Sequence, residues 1–222
     1  MKREFTKEIM DDFSIRDERI DLALAELNLI NKFLGGNSTT GFGVKLLSNN
    51  NHSNHKLSIL DVGAGGSEVL QNKINHDADV YSLDLNFRVC EYLKEKSIDT
   101  NVLYGNALRL PFKEKSVDIV HLSLFLHHFT EPEIISILTM SIKICKAGIV
   151  INDLRRSWFA YIGISLLTKL FSKSEMVKND GPLSVKRGFI KNELIRILSR
   201  SGITNYKIYR TWAFRWLVII YV

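Results

Sequence analysis

A short apolar run that ends in a glycine-rich turn constrains the fold of this chain most strongly. The run LSILDVG leads into Gly63, Gly65 and Ser67, after which the chain resumes with the spacing of a helix. A helix that begins directly after a strand presents free backbone N–H groups, and small residues let a ligand approach them closely. The stretch therefore predicts a strand, a ligand-binding turn and a helix at the start of an α/β domain.

Further strands and helices alternate from Leu57 onward. The segments LSILDVG, DVYSLDL, TNVLYGN, VDIVHLS and AGIVIND are nearly continuous apolar runs, which is typical of a parallel sheet covered by helices on both faces. Thr130 and Glu133 have capping-box spacing at the start of the helix before the fifth strand. The last two runs, NYKIYRTW and RWLVIIYV, are separated only by Ala213 and Phe214, which predicts an antiparallel hairpin at the sheet edge.

These patterns predict an α/β fold of the Rossmann-like kind, with a seven-stranded, mostly parallel sheet and an antiparallel last strand. Before it, SIRDERIDLALAELNLINKFLGG has apolar residues every three or four positions and predicts a helix capped by Ser14 and ended by Gly35. We expect residues 1–50 to form an N-terminal helical cap or lid. Residues 51–222 are expected to form the main domain, entered through the polar stretch 49–56, with a lid insertion at about 155–188.

Composition narrows the class of protein. With 222 residues, 45% of them hydrophobic, the chain has the size of one folded α/β domain with an appendage. Cys90 and Cys145 have no metal-ligand spacing, so we expect buried thiols, no metal and, without a secretory signal, a cytoplasmic location. Lys and Arg exceed Asp and Glu by 13 to 3 from Arg155 onward, whereas the preceding part has 17 against 21. The basic part is either a solvated surface or a surface for an acidic substrate, nucleic acid or membrane.

Two carboxylates restrict the ligand of the glycine turn. Asp61 stands just before the first glycine, where it would repel a diphosphate by roughly several kcal/mol at about 4 Å and would attract a cation. Asp84 ends the second strand, where a carboxylate accepts hydrogen bonds from both hydroxyls of a ribose. Asn106 and the backbone of Ala107 follow the third strand and are placed to contact an adenine edge. The pattern predicts a ligand with a ribose and a cationic group; the alternative is that both carboxylates only cap loops.

At these residues the sequence resembles the class I S-adenosylmethionine-dependent methyltransferases. The resemblance rests on LDVGAGGSE, YSLDLN, GNALRLPF and KSVDIVHLSLFLHHF in this order, and it covers Leu57 to Val222. It implies that S-adenosylmethionine is the cofactor and that its methyl group is transferred to a nucleophile. The implied cofactor site consists of Asp61, Gly63, Ala64 and Gly65 at the methionine end, Asp84 and Leu85 at the ribose, Asn106 and Ala107 at the adenine, and the backbone of Leu122 near the donor. Ser67 and Asn106 depart from the commoner glycine and aspartate.

A finer resemblance concerns the acceptor. LNLINKFLGG, INDLRRSW and DGPLSVKRGF are similar to a subgroup of small bacterial methyltransferases that occur beside polyketide-type lipid or pigment pathways. This resemblance implies a small, lipophilic, aromatic or quinone-like acceptor.

Candidate catalytic residues follow the fourth and fifth strands. His127 and His128 are candidate bases for a hydroxyl acceptor, although one could pack under the helix while the other faces water. Asp153 is an alternative base or an orienting group, and Arg155 beside it would suit an anionic substrate.

The insertion after the fifth strand is bulky and apolar. Trp158 and Tyr161 are predicted to contact the substrate as part of a lid, with core packing and peripheral membrane contact through 155–173 as the alternatives. Lys178, Lys186 and Arg187 are expected in the loop that follows, where they could close over an acidic acceptor.

Two other functions remain open. An RNA methyltransferase would explain the basic C-terminal third, but HLSLFLHHF lacks the proline-containing tetrapeptide of amine methylation and no RNA-binding module is recognised before Leu57. We therefore do not expect nucleic acid as the acceptor. A protein that binds S-adenosylmethionine without catalysis is the second alternative.

Overall fold

The computed structural model describes residues 1–49, 56–66, 70, 78–96 and 100–222. Most of the predicted linker, the predicted helix after the glycine turn (Leu70 excepted) and Ser67 lie outside these residues. The helices are α1 Glu18–Phe33, α2 Gly36–Ser48, α3 Phe87–Lys96, α4 Glu131–Ile144, α5 Trp158–Phe171, α6 Glu175–Arg187 and α7 Lys191–Arg200. The strands are β1 Leu57–Val62, β2 Ala78–Asp84, β3 Thr100–Tyr104, β4 Val117–Ser123, β5 Cys145–Leu154, β6 Tyr206–Thr211 and β7 Arg215–Tyr221.

These strands form a mixed sheet with the order β3-β2-β1-β4-β5-β7-β6. β1 to β5 pair in parallel, and β7 runs antiparallel to both β5 and β6. The predicted α/β fold and the C-terminal hairpin are confirmed. β7 lies inside the sheet, between β5 and β6, and its residues Leu217–Ile220 are all fully buried. β6 is half exposed and forms the edge.

Side chains of the central strands alternate between two cores. Leu60, Val62 and Val120 face a core that includes residues of α4 and α7, and Ile59 and Ile119 face a core that includes residues of α2. Each fully buried side chain of this size contributes roughly 1.5–3 kcal/mol. Side chains in a strand alternate with a period of two. Asp61 and His121, two positions beyond Ile59 and Ile119, therefore lie on the same face of the sheet as α2, and both are polar.

The N-terminal helices follow the predicted order with a different cap. The Asp17 carboxylate accepts a hydrogen bond from Arg19 N at 3.1 Å and caps α1, whereas the Ser14 hydroxyl donates to Asp12 at 2.7 Å. The prediction that Ser14 caps this helix is therefore wrong, because a local turn takes its hydroxyl. Gly35 separates α1 from α2 in the left-handed conformation, with φ of 72°.

The segment after β5 forms two helices. α5 begins at Trp158, and α6 contains Pro182, so the loop predicted at Lys178, Lys186 and Arg187 is wrong. None of the described helices has the length and apolar character that a bilayer crossing requires. The chain passes α6 and α7 before it returns to the sheet.

Candidate functional site

A cavity of about 1100 Å³ opens at the carboxyl ends of the parallel strands. Its wall is formed by the glycine turn after β1, the ends of β2 and β4, the N-terminal segment, α1 and α5. Ligands of open α/β sheets bind at this edge. The cavity therefore lies where the sequence predicted the site.

The glycine turn is shaped by two residues with positive φ. Gly63 has a φ of 68° and Gly65 a φ of 51°. A Cβ atom on Gly63 would lie 2.0 Å from Cδ2 of the Phe125 ring, whereas one on Gly65 would have its nearest neighbour, Leu24, at 4.0 Å. The close approach of the Phe125 ring thus requires glycine at position 63. At position 65 the backbone conformation alone favours glycine.

Asp84 joins the turn to the end of β2. Its Oδ2 accepts a hydrogen bond from Gly65 N at 3.1 Å, and its Oδ1 accepts one from Asn86 N at 2.9 Å. Burial raises the pKa of Asp84, backbone hydrogen bonds from Asn86, Gly65 and Leu85 lower it, and the charge of Asp61 raises it. Asp84 lines the cavity, where its carboxylate can also accept a hydrogen bond from a ligand hydroxyl.

Asp61 is held by a histidine that the sequence analysis missed. His121 on β4 lies beside Asp61 in the strand register, and its Nδ1 is 2.7 Å from Asp61 Oδ1. His121 Nε2 is 3.0 Å from the Thr40 hydroxyl, which also accepts a hydrogen bond from Asn152. This buried row fixes the orientation of the Asp61 carboxylate at the cavity wall. A histidine within the apolar run of β4 was the available signal.

Most of the remaining predicted cofactor residues line the cavity. Ala64, Leu85, Asn106 and Ala107 line the same cavity as Asp61 and Asp84, and Asn106 Oδ1 accepts a hydrogen bond from Leu108 N at 2.8 Å. Leu122 is fully buried in the core on the other face of the sheet. The predicted backbone contact of Leu122 stays a prediction, and Ser123 and Leu124, which follow it, line the cavity.

His127 forms a buried pair with Asp153. Its Nδ1 is 2.7 Å from Asp153 Oδ1, and its Nε2 is 3.6 Å from Glu8 Oε1. Burial alone would lower the pKa of His127, but the charge of Asp153, the hydrogen bond to Asp153 and the nearby Glu8 carboxylate raise it to about 9. The same interactions outweigh burial at both carboxylates and lower the pKa of Asp153 and of Glu8. His127 is therefore an imidazolium between two carboxylates near neutral pH.

Asp153 lies behind the cavity wall. It is fully buried, and its Oδ1 and Oδ2 also accept hydrogen bonds from Leu154 N and His127 N. Asp153 is not among the cavity-lining residues, so its predicted role as a base in contact with the acceptor is corrected. Its place is that of a group that orients His127.

His128 forms a second pair with a carboxylate from the N-terminal segment. Its Nδ1 is 2.7 Å from Asp11 Oδ1, and its Nε2 is 3.9 Å from Glu8 Oε2. The rings of His127 and His128 lie side by side with centroids 4.3 Å apart. Both imidazoles therefore point Nδ1 at an aspartate and Nε2 toward Glu8.

Within the part of the chain that the structure describes, Glu8, His127 and His128 form the set of side chains that a metal ion could join. Their ligand atoms lie within 4.8 Å of one another. Arg187 Nε is 3.7 Å from Glu8 Oε1, and Arg187 NH1 is 3.0 Å from Asp11 Oδ2. Because this buried arginine already supplies positive charge to both carboxylates, we assign no metal to the set.

Arg155 is the predicted substrate residue that reaches the cavity. Its guanidinium lies 5.0 Å from the centre of the Phe214 ring. Trp158 and Tyr161 lie on α5 but do not line the cavity, and this prediction is corrected. The helix turns other residues inward, namely Phe159, Ala160, Gly163, Ile164 and Leu167.

Lys178, Lys186 and Arg187 do not form the mobile basic group that the sequence suggested. Lys178 pairs with Glu175 at 2.7 Å, and Lys186 lies 4.6 Å from the centre of the Tyr161 ring. Arg187 is buried and donates to the backbone oxygens of His127 and His128. Of the three, Arg187 lines the cavity, where it organises the histidines.

The N-terminal segment contributes residues that sequence reasoning did not find. Glu8 and Asp11 reach the histidines because the Asp180 carboxylate accepts hydrogen bonds from Ile9 N and Met10 N at 2.9 and 3.0 Å. Arg3 further donates to Arg187 O at 2.9 Å. The sequence carries no local signal for these contacts, because the partners are more than 110 residues apart.

Comparisons with known proteins agree with this geometry. Residues 60–140 match a family model described as a methyltransferase domain. No curated protein matches the chain. The family match lies within the main domain predicted from the sequence and contains the glycine turn, Asp84 and both histidines.

Solved structures of methyltransferases share the fold. The plantazolicin methyltransferase BpumL, solved in complex with triazolic desmethylPZN analog and SAH, is 15% identical, with a TM-score of 0.69 over 96% of this chain and 99% of that one. Human N-acetylserotonin methyltransferase, solved with SAM, is 14% identical, with a TM-score of 0.67 over 99% of this chain and 62% of that one. A SAM-dependent methyltransferase from Aquifex aeolicus is 18% identical, with a TM-score of 0.58 over 80% and 88%. At these identities the comparisons show the fold, which is the one predicted.

Proposed function

We propose that this chain binds S-adenosylmethionine and transfers its methyl group to a small, lipophilic acceptor of the aromatic, quinone or polyketide-like kind. The observation that carries the proposal is the cavity, whose wall combines carboxylates with many aromatic and aliphatic side chains. Its volume of about 1100 Å³ is above the roughly 300–1000 Å³ of ordinary small-molecule sites. The space suits a cofactor and an acceptor together.

The two carboxylates at the cavity wall, Asp61 and Asp84, suit the donor. Asp84 has acceptor positions for the ribose hydroxyls, and Asp61 offers negative charge near the turn where the positively charged methionine end would lie. Asn106 and Ala107 line the part assigned to adenine. The human structure was solved with SAM and the BpumL structure with SAH.

The apolar part of the cavity wall suits a lipophilic acceptor. It includes the aromatic residues Phe5, Phe129, Phe159, Trp212 and Phe214 and aliphatic residues of α1 and α5, while Phe125 lies against Gly63 of the turn. Burial of apolar acceptor surface contributes roughly 25 cal/mol per Å². Arg155 lines the same cavity and offers a cationic group to an acidic substituent.

Two segments of the chain, 1–50 and 155–188, are the proposed lids of the cavity. Phe5 and Leu27 come from residues 1–50, and Phe159 and Leu167 come from residues 155–188, and all four line the cavity. We propose that both segments cover the acceptor and keep water from the sulfonium. A dry and aligned site is what transfer from an already activated methyl donor requires.

His128 is the proposed proton acceptor for a hydroxyl substrate. It lines the cavity, and Asp11 on Nδ1 orients the ring so that Nε2 can accept a proton. His127 is unsuited as a proton acceptor because its raised pKa keeps it protonated. Asp153 is unsuited because it is buried behind His127.

The structure leaves fewer free cations for an RNA acceptor than the sequence suggests. Of the C-terminal cations, Arg156, Arg187 and Arg215 are buried, and Arg196 and Arg200 both pair with Glu131. The basic surface left for a phosphate backbone is therefore smaller than the sequence suggests.

Calorimetric titration with S-adenosylmethionine tests the donor site. Asp84→Asn should bind about 10- to 100-fold more weakly, because hydrogen bonds to a charged group contribute about 1.5–3 kcal/mol each. Asp79→Asn is the matched control on the same strand, since Asp79 pairs with Lys56 at 2.7 Å away from the cavity. Equal affinity of both variants, or preference for a dinucleotide, would contradict the proposed site.

Labelled methyl donor offered separately to phenolic and quinone lipids and to RNA tests the acceptor class. We expect label in the lipid fraction. Label in RNA would refute the acceptor class, and tight donor binding without any transfer would favour the non-catalytic alternative.

A further inference from the structure

Helix α5 presents an apolar face to the outside of the protein. Its large apolar side chains are between 51% and 78% exposed, namely Trp158, Phe159, Ile162, Leu166, Leu170 and Phe171. On the same helix, Ala160 and Thr168 are the buried residues. A surface helix ordinarily turns its apolar side inward and a polar side outward, whereas α5 is apolar on its outer side as well.

These side chains form a contiguous surface. At about 100° per residue, Trp158, Ile162, Leu166, Phe159 and Leu170 fall within an arc of about 120°. Lys169 lies inside this arc, and Phe171 ends the helix. Exposed apolar patches of this extent mark sites of interaction with a protein or a membrane.

The charges around this face are positive. Lys169 and Lys173 are exposed, and α5 contains no acidic residue. Two acidic residues beside the end of the helix have partners of their own: Glu26 accepts hydrogen bonds from the Ser172 hydroxyl and Lys173 N, and Glu175 pairs with Lys178. The apolar face is therefore flanked by cations.

The outward face is continuous with the cavity. Phe159 is 78% exposed and also lines the cavity, as does Gly163 on the next turn. A hydrophobic molecule that reaches the outer face of α5 would thus lie at the wall of the cavity without crossing bulk water.

We propose that α5 docks this protein on an anionic lipid bilayer, with its apolar face in the interfacial region. Amphipathic helices with aromatic residues and lysines bind bilayers in this way. A second copy of the chain fits less well, because a two-fold contact through this face would bring Lys169 and Lys173 near their own counterparts. The docking goes beyond methyl transfer and does not depend on it.

Co-sedimentation with vesicles tests the docking. We expect the full chain to bind vesicles that contain phosphatidylglycerol and to bind pure phosphatidylcholine vesicles at least about tenfold more weakly, because each lysine near an anionic surface contributes about 1 kcal/mol. Leu166→Ser with Leu170→Ser should weaken binding to the anionic vesicles by about tenfold or more, because apolar burial drives insertion.

Leu29→Ser is the matched control, because Leu29 on α1 is as exposed as Leu166, at 56%. It should leave vesicle binding unchanged, and circular dichroism and thermal unfolding should show that all variants fold. Lys169→Glu with Lys173→Glu should reduce binding to anionic vesicles only.

Three results would overturn the proposal. They are failure of the unaltered chain to bind anionic vesicles, unchanged binding by the double serine variant, and a dimer in light scattering that this variant converts to a monomer. The last result would assign the face to a second copy. Because vesicle binding is measured without donor or acceptor, a failure of methyl transfer leaves this test intact.

Discussion

Replacement of Gly63 by alanine should destabilise the protein more than the same change at Gly65. Both glycines have positive φ, so alanine costs about 1–2 kcal/mol at either position. At Gly63 the added Cβ would also lie 2.0 Å from Cδ2 and 2.3 Å from Cε2 of Phe125, and overpacking of this kind costs about 1–3 kcal/mol more. We expect a loss of about 2–5 kcal/mol for Gly63→Ala and about 1–2 kcal/mol for Gly65→Ala.

A double-mutant cycle separates the two contributions. In the background Phe125→Ala the ring is absent, so the cost of Gly63→Ala should fall to that of Gly65→Ala. Urea unfolding measures each free energy, and calorimetric titration with S-adenosylmethionine shows whether the turn still binds its ligand. If the Gly63 and Phe125 effects add within about 0.5 kcal/mol, the ring does not exclude a side chain at position 63 and the reasoning is refuted.

Two further predictions concern the histidines. The pKa of His127 is raised from its ordinary value of 6.5 to about 9, so its stabilising contribution is complete below pH 6.5 and is lost as pH rises through about 9. Urea unfolding should lose up to about 3 kcal/mol between pH 6 and pH 10, and this loss should be absent in His127→Asn; an equal loss in that variant would contradict the assignment. His128→Asn should reduce turnover of a hydroxyl acceptor by about 100-fold or more while donor affinity is kept, and unchanged turnover would exclude its role as proton acceptor.

Local patterns predicted most of the fold because each was decided within a few residues. The capping box at Thr130 and Glu133 forms as expected, and continuous apolar runs became buried parallel strands. The loop expected around Pro182 became a helix because α6 is held by packing: Met176, Val177 and Val185 are buried, which outweighs the missing N–H of the proline. Turn-forming residues alone did not predict that packing.

The site was predictable where it depended on strand ends and not where it depended on side-chain direction. Asp61 and Asp84 line the cavity because parallel strands end at one edge. Trp158 was misplaced because part of a helical turn changes the direction in which a side chain points. Glu8 and Asp11 required knowledge of where the N-terminal segment lies, which no spacing in the sequence supplies.

The position of β7 between β5 and β6 also governs how the protein can be made. Until β7 has paired with it, β5 has no neighbour on one side and presents the apolar stretch Ile149–Ile151 beside an open row of backbone hydrogen-bonding groups. Open edges of this kind promote aggregation. Loss of β7 would therefore open the sheet between β5 and β6 and remove an inner strand rather than a peripheral one.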